Sequence, residues 1–178
     1  MKNVLIIVLP YLMVPDETRI GYWSHKYERK NSPSTLIKSW PALPYGVLSL
    51  VTYNKDVANI KVIDCNVDEG YPQTIVREMH GFKPDIVGFA MTFDNAYLHL
   101  RGILKIVREI DPNVITVIGG APMVAAYREI LDEQPGIDAV CYGDGEIPFR
   151  RLCLGDPIEV FKTTPAWITR WSLAVGNS

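Results

Sequence analysis

Three short stretches of the chain hold the residues best placed to meet a ligand. "MTFD" covers Met91, Thr92, Phe93 and Asp94; "GGAP" covers Gly119, Gly120, Ala121 and Pro122; "GDGE" covers Gly143, Asp144, Gly145 and Glu146. At the second, an apolar run stops at two glycines and a helical pattern starts a few residues later. Either the backbone bends there in a way only glycine allows, or something must lie against it. A tight turn from strand to helix would use the same residues. GDGE is likewise a bare turn before a helix, with Glu146 favourable at its N-terminus, or a direct ligand contact. His25 is the only histidine in the segment after the first strand; histidine is a common metal ligand, but nothing in the sequence holds this one in place. His80 and His99 fall on helices, at the surface or half-buried. Cys65, Cys141 and Cys153 are far apart and make neither a CxxC pair nor a disulfide framework, which fits a reducing cytoplasm.

The bulk properties narrow the classes. A chain of 178 residues, 48% hydrophobic, suits one domain with a real core. A net charge of -2 provides no basic field for nucleic acid and no polybasic patch for a membrane. The longest apolar run, Val4 to Val14, contains Pro10 and is too short to span a bilayer. It lacks a signal-peptide cleavage pattern and reads as a first core strand, so a cytoplasmic location is expected.

The elements that must position the three stretches alternate regularly. Val4 to Leu9 is a continuous aliphatic run, as expected for a strand buried on both faces. Pro10 to Leu43 follows, rich in Pro, Ser, Lys and aromatics and without a clean period. Loops of that length inside a domain are usually functional or disordered. Pro44 opens a first helix with Val47, Leu48, Leu50 and Val51 as its stripe. Lys61 to Asn66 is strand two, and Pro72 opens a helix carrying Ile75, Val76, Met79 and Phe82. Asp85 to Met91 is strand three. Asp94 or Asn95 is placed to cap the helix Ala96 to Ile110, with Leu100, Ile103, Leu104 and Val107 on one face. "VITVIGG" is strand four, Val124 to Leu131 lies in helix four, Ala139 to Tyr142 is strand five and Ile147 to Leu154 a last short helix.

Apolar strands joined by helices, five times over, predict a doubly wound parallel sheet with helices on both faces. The flavodoxin-like (Rossmann-like) order 2-1-3-4-5 fits, and in that order ligands bind beyond the carboxyl ends of strands one, three and four. The three stretches fall on that edge. After residue 155 the alternation stops, so 1–155 reads as the domain and 156–178 as a linker or a tail folded back on it.

The common ligands of this fold leave marks that are missing. No GxGxxG follows strand one, where "PYLMVP" stands, and no GxxxxGK[ST] is present. A phosphoacceptor receiver needs acids after strand one, an Asp ending strand three and a Lys ending strand five. Those places hold Pro10-Tyr11, Met91-Thr92 and Tyr142-Gly143. The Ser/Thr-rich phosphate loop of a flavodoxin is missing as well.

Three blocks, in order and spacing together, carry a resemblance: "PALPYGVLSLVTY" (Pro41 to Tyr53), "KPDIVGFAMTFDN" (Lys83 to Asn95), and "VITVIGGAP" followed by "GIDAVCYGDGEIPF". From about Val4 to about Leu154 the chain resembles the N-terminal cobalamin-binding domain of the cobalamin-dependent radical S-adenosylmethionine enzymes. The resemblance implies a corrin ring over the carboxyl edge, with its nucleotide tail running down into the domain. Gly119 and Gly120, with Ala121 and Pro122 after them, would flank the tail. Met91, Thr92, Phe93 and Asp94 would lie in the loop beneath the ring. Gly143, Asp144, Gly145 and Glu146 would offer N–H groups and carboxylates to its amides, and the aromatics of residues 11 to 40 would shelter one face. Two departures stand out. The DxHxxG of mutase and methyltransferase domains is absent, which implies base-off cobalamin with no protein histidine on cobalt. Ala121-Pro122-Met123 stands where many relatives carry a histidine.

The family's radical chemistry also needs a CxxxCxxC motif for an iron–sulfur cluster, and the three cysteines cannot supply it. The cluster and S-adenosylmethionine would belong to a catalytic domain in cis or in trans, and this chain alone is expected to bind cobalamin and catalyse nothing. The alternative is a flavodoxin-like interaction or regulatory domain that has lost its ligand.

Overall fold

The computed structural model describes residues 1–11, 43–68 and 70–176. His25 and most of the aromatic-rich segment lie outside these. The described elements run β1 (Lys2–Val8), α1 (Tyr45–Asn54), β2 (Ala58–Asp64), α2 (Tyr71–Gly81), β3 (Ile86–Ala90), α3 (Tyr97–Ile110), β4 (Ile115–Gly119), α4 (Met123–Glu133), β5 (Ala139–Cys141), α5 (Glu146–Leu154), α6 (Pro157–Thr163), β6 (Trp167–Ile168) and α7 (Arg170–Gly176). The sheet order is β2-β1-β3-β4-β5-β6. The first five strands are parallel and in the predicted order.

The sheet has six strands where five were expected. The sixth pairs antiparallel with β5, through Val140 with Ile168 and Cys141 with Trp167. A two-residue strand carries no readable period, so the sequence does not announce it. Residues 157–176 therefore pack on the domain. Asp156 caps α6 by accepting from the Glu159 N–H at 3.1 Å. The buried Trp167 indole donates to the Pro148 carbonyl at 3.2 Å, and Arg170 donates to the Ile137 and Gln134 carbonyls at 2.7 Å each.

Side chains alternate between two layers because successive strand residues face opposite sides. Val4, Ile6, Val8, Ile86, Val117, Ala139 and Cys141 face α1 and α5 through Val47, Phe149 and Leu152. Leu5, Ile7, Leu9, Val87, Phe89, Met91, Ile118 and Val140 face the other side, under Ile75, Leu100, Leu104, Val107 and Ile130. Burial on both faces is why β1 reads as one unbroken apolar run. The α3 stripe is buried as expected. In α1 only Val47 and Asn54 are buried, and Leu48 is 48% exposed. The residues that pack inward are Val47, Leu50 and Val51, three and four apart, which turns Leu48 away from the sheet. Neither Asp94 nor Asn95 caps α3; a 3-10 turn, Asp94–Ala96, precedes it, and the Asn95 amide donates to the Tyr11 carbonyl at 2.7 Å.

At the amino edge of the sheet, Arg108 ties α3 to β4 and β5. Its guanidinium reaches the Pro112, Val114 and Gly136 carbonyls, the Thr116 hydroxyl and the Asp138 carboxylate, all within 3.0 Å. Removing it breaks six hydrogen bonds, although Thr116 still donates to the Gly136 carbonyl and the Asp138 carboxylate, so Arg108→Ala is expected to cost about 2 kcal/mol. The measurement is a lower urea midpoint at unchanged slope.

Candidate functional site

The carboxyl ends of β1, β3, β4 and β5 bring the three stretches to one edge. Register fixes their relation: Ala90 pairs with Gly119, and the Met91 N–H donates to the Gly119 carbonyl at 2.9 Å. Among the MTFD residues, Met91 behaves differently from expectation. Its side chain is buried among the α2–α4 layer, so only its backbone reaches the edge. Thr92, Phe93 and Asp94 are exposed, and the Phe93 ring stands edge-on to Tyr11 with centroids 4.7 Å apart.

The two glycines have different physical causes. Gly120 has φ +128°, and a Cβ there would sit 2.0 Å from the Met91 carbonyl oxygen. It is glycine because the β3 backbone occupies the space. At Gly119 an added Cβ would meet only the Cys141 Cβ, at 3.5 Å, an ordinary contact. Among the described residues nothing forbids a Cβ at Gly119. Ala121 is exposed and Pro122, half-buried, precedes α4. Gly143 has φ +90° with open space around it, which suits a left-handed turn residue. Asp144 is exposed, and Gly145 and Glu146 are half-buried at the start of α5.

On the α1/α5 side, small residues line the carboxyl end of the sheet. Ala90, Gly119 and Cys141 form a floor across β3, β4 and β5. Gly145 and Leu50 stand over it: a Cβ on Gly145 would lie 3.3 Å from Leu50 Cδ1 and 4.0 Å from Cys141 Sγ. Across the mouth, the Ser49 hydroxyl donates to Glu146 Oε1 at 2.6 Å. A seam between α1 and α5 thus runs over a floor of small residues and is the candidate groove.

Around the groove the edge is apolar. Tyr45, Leu48, Phe93, Val124, Tyr142 and Ile147 are all exposed there, between 44% and 74%. Each follows a strand end or opens a helix, so together they ring the edge as a hydrophobic rim. Tyr142 packs edge-on to Tyr127, centroids 5.8 Å apart. Of these residues the sequence singled out Phe93 for the site and assigned Leu48 and Leu50 to the buried stripe of α1; Tyr45, Ser49, Val124, Tyr142 and Ile147 were not singled out for the site. For Tyr45, Val124 and Ile147 the one signal is an apolar residue in the first turn of a helix. Two clefts of about 450 and 590 Å³ open elsewhere, at the amino edge, around Lys83 and Pro84 and around Lys2 and Val57. They sit at the opposite end of the strands from every ligand-type feature, and the carboxyl edge is an open platform with a slot.

The electrostatics of the floor keep it neutral. Burial, with the Glu146 and Asp144 carboxylates nearby, pushes the Cys141 thiol up to about 12. Burial likewise raises Cys65 to about 12 and Cys153 to about 11. All three thiols are expected to resist thiol reagents at pH 8 in the folded chain and to react together on unfolding. Above the ordinary thiol value of 9.0 the folded chain retains protons that the unfolded chain releases. Stability therefore falls as pH rises from 9.0, where the unfolded thiols ionise, to about 12, where the folded ones follow, and melting curves across that window measure it. Among the described residues no group of three or more His, Cys, Asp or Glu is placed to hold a metal ion. His80 is exposed, and burial lowers the pKa of the half-buried His99. No helix of the described residues is long and apolar enough to cross a membrane.

Fold and edge together define a doubly wound α/β ligand-binding domain whose slot sits beside the strand-order reversal, without phosphate-loop or phosphoacceptor residues. Residues 41–153 match the B12 binding domain family, and the chain belongs to it. It is 31% identical over 109 residues to an uncharacterized methyltransferase of Pyrococcus horikoshii, covering 61% of this chain and 24% of that protein. It is 31% identical over 110 residues to an anaerobic magnesium-protoporphyrin IX monomethyl ester cyclase of Rubrivivax gelatinosus, covering 61% and 19%. A cobalamin-dependent radical SAM methyltransferase of Streptomyces tokunonensis is 25% identical over 118 residues, covering 65% and 17%. The resemblance drawn from the three sequence blocks is thus borne out at the level of family. The chain spans less than a quarter of the length of each of these relatives.

Proposed function

We propose that this chain is the corrinoid-binding module of a larger methyl-transferring or cyclising radical enzyme. The corrin lies on the apolar rim of the carboxyl edge, and the nucleotide tail enters the groove between α1 and α5. One observation carries this reading: Gly119 lacks a side chain where the described residues leave room for a Cβ. A glycine without an internal steric cause, at the floor of a slot on the ligand-binding edge, fits a cradle for something that lies against the backbone. The rim supports it, since exposed apolar side chains ringed around one edge mark a binding surface.

The roles follow residue by residue. Gly119, Ala90 and Cys141 floor the tail groove, and the protonated Cys141 thiol adds no charge to it. Thr92, Phe93 and Asp94 lie under the ring with Tyr11 behind them, and Tyr142 supports it on the β5 side. Asp144 and Glu146 accept hydrogen bonds from the amides at the ring's edge, and the Gly143 turn leaves their backbone N–H groups free to donate. Ala121 and Pro122 carry no donor side chain to the tail, so its contacts there are with backbone and apolar surface. The described turns of the edge, Met91–Asp94, Gly119–Pro122 and Gly143–Glu146, contain no histidine. This supports a base-off cofactor without a protein ligand on cobalt. When bound, cobalamin supplies methyl-transfer chemistry at cobalt; the iron–sulfur cluster and S-adenosylmethionine belong to a catalytic domain beyond these residues.

The test is direct. Protein mixed with hydroxocobalamin and then desalted is expected to retain the visible absorption of the corrin. In the reduced Co(II) form, electron paramagnetic resonance is expected to show cobalt lines without nitrogen splitting. Nitrogen splitting would overturn the base-off assignment. A colourless protein under both oxidising and reducing conditions would leave a flavodoxin-like interaction domain as the better description.

A further inference from the structure

Val47 anchors α1 in the core, but the polar ties between α1 and α5 are unequal at the two ends of the helix. At the C-terminal end of α1, Arg150 of α5 makes a two-pronged pair with the Asp56 carboxylate, 2.7 Å on each prong. The same guanidinium donates to the Tyr53 carbonyl at 3.0 Å and lies over the Tyr53 ring. Such a bidentate pair fixes orientation as well as distance. At the N-terminal end of α1, over the groove, the polar tie to α5 among the described residues is one bond, Ser49 to Glu146. The α1 N-terminus has no side-chain cap.

At the C-terminal end of α1 one side chain is only partly satisfied. Asn54 is completely buried, yet its Oδ1 has no hydrogen-bond partner. Its amide N–H group donates to the Leu50 carbonyl at 2.8 Å and reaches the Glu146 carbonyl only at 3.5 Å. Leu50, one residue after the Ser49 contact, lies against Gly145 and closes the slot above Gly119 and Cys141.

We infer that α1 is a gate, hinged at the Arg150–Asp56 pair and latched by the Ser49–Glu146 hydrogen bond, that swings its N-terminal turns off α5 to admit a ligand tail. Opening withdraws Leu50 from Gly145 and uncovers the floor at Gly119. The direction of motion follows from the number of polar ties: Arg150 makes three hydrogen bonds at one end, and Ser49 makes one at the other. The ligand assignment rests on the corrinoid reading above; the hinge and latch stand on the contacts alone.

Two measurements on the full chain separate these claims. In ligand-free protein, Ser49→Ala is expected to speed hydrogen exchange of the α1 amides from Leu48 to Val51 roughly fivefold. Exchange from Asn54 to Val57 should stay at the wild-type rate. Arg150→Met is expected to give the reverse pattern. In stopped-flow mixing with hydroxocobalamin, Ser49→Ala should raise the uptake rate by a similar factor, with the final amount bound unchanged. Unchanged exchange at Leu48 to Val51 in Ser49→Ala would overturn the latch. Faster exchange with unchanged uptake rate would overturn its role as a gate. If wild-type protein takes up no cobalamin, the corrinoid reading fails, and the exchange pattern still decides whether the hinge and latch exist.

Discussion

Gly120→Ala is expected to destabilise the domain by about 4 kcal/mol, enough to unfold a large share of it at ambient temperature. Two costs add. The residue has φ +128°, a region that L side chains rarely adopt. The added Cβ would also stand 2.0 Å from the Met91 carbonyl oxygen, well inside contact distance. Relief would require moving β3 backbone, and the Met91 N–H is itself committed to the Gly119 carbonyl at 2.9 Å. Neither partner can shift alone. Chemical denaturation of the ligand-free variant reads the effect. A loss below about 1 kcal/mol would show that the turn relaxes and that Gly120 is an ordinary turn residue.

Gly119→Val is expected to do the opposite: keep the fold and lose the cofactor. The β4 backbone there is extended strand, which accepts a β-branched residue, and the first added carbon meets only Cys141 at 3.5 Å. Stability should change by no more than about 1 kcal/mol. The two further carbons would project into the groove between Leu50 and Gly145, where the tail is proposed to lie. Retention of hydroxocobalamin is expected to fall by about a hundredfold, equivalent to about 2.7 kcal/mol of binding. Denaturation and cofactor titration on one preparation separate the outcomes. Wild-type affinity in a folded Gly119→Val protein would remove the groove from the site.

The paired glycines show how sequence and structure divided the problem. Read along the chain, Gly119 and Gly120 pose one question with two answers, a backbone bend or a close approach. The structure assigns one answer to each. Gly120 answers to Met91, twenty-nine positions away in sequence. Gly119 meets only an ordinary contact with Cys141 among the described residues. That difference depends on how β3 and β4 align, which no local pattern encodes.

Elsewhere the legible parts were those with local causes. Continuous aliphatic runs announced β1, β3 and β4 because both faces of a parallel strand are buried. The three-and-four spacing announced α3, and prolines marked where α1 and α2 begin. Strand order followed from the alternation of elements and the handedness of their crossovers. The order in turn placed MTFD, GGAP and GDGE at one edge, so the candidate site was found before its geometry was. The three motif blocks sufficed for the family.

Other features needed the third dimension. β6 is two residues long, and its place beside β5 depends on Trp167 and Arg170 finding carbonyls on distant elements. Met91 points into the core while its neighbours point out, because strand alternation continues one residue past β3. The roof of the groove depends on Ser49 meeting Glu146 and on Arg150 meeting Asp56, ninety-odd residues apart in each case. Sequence by itself determined the elements, their order and the edge that gathers the three stretches, because backbone sterics and side-chain burial act over a few residues. Only the tertiary structure decided which glycine yields to the protein's own backbone and which does not, because that depends on atoms that folding alone brings together.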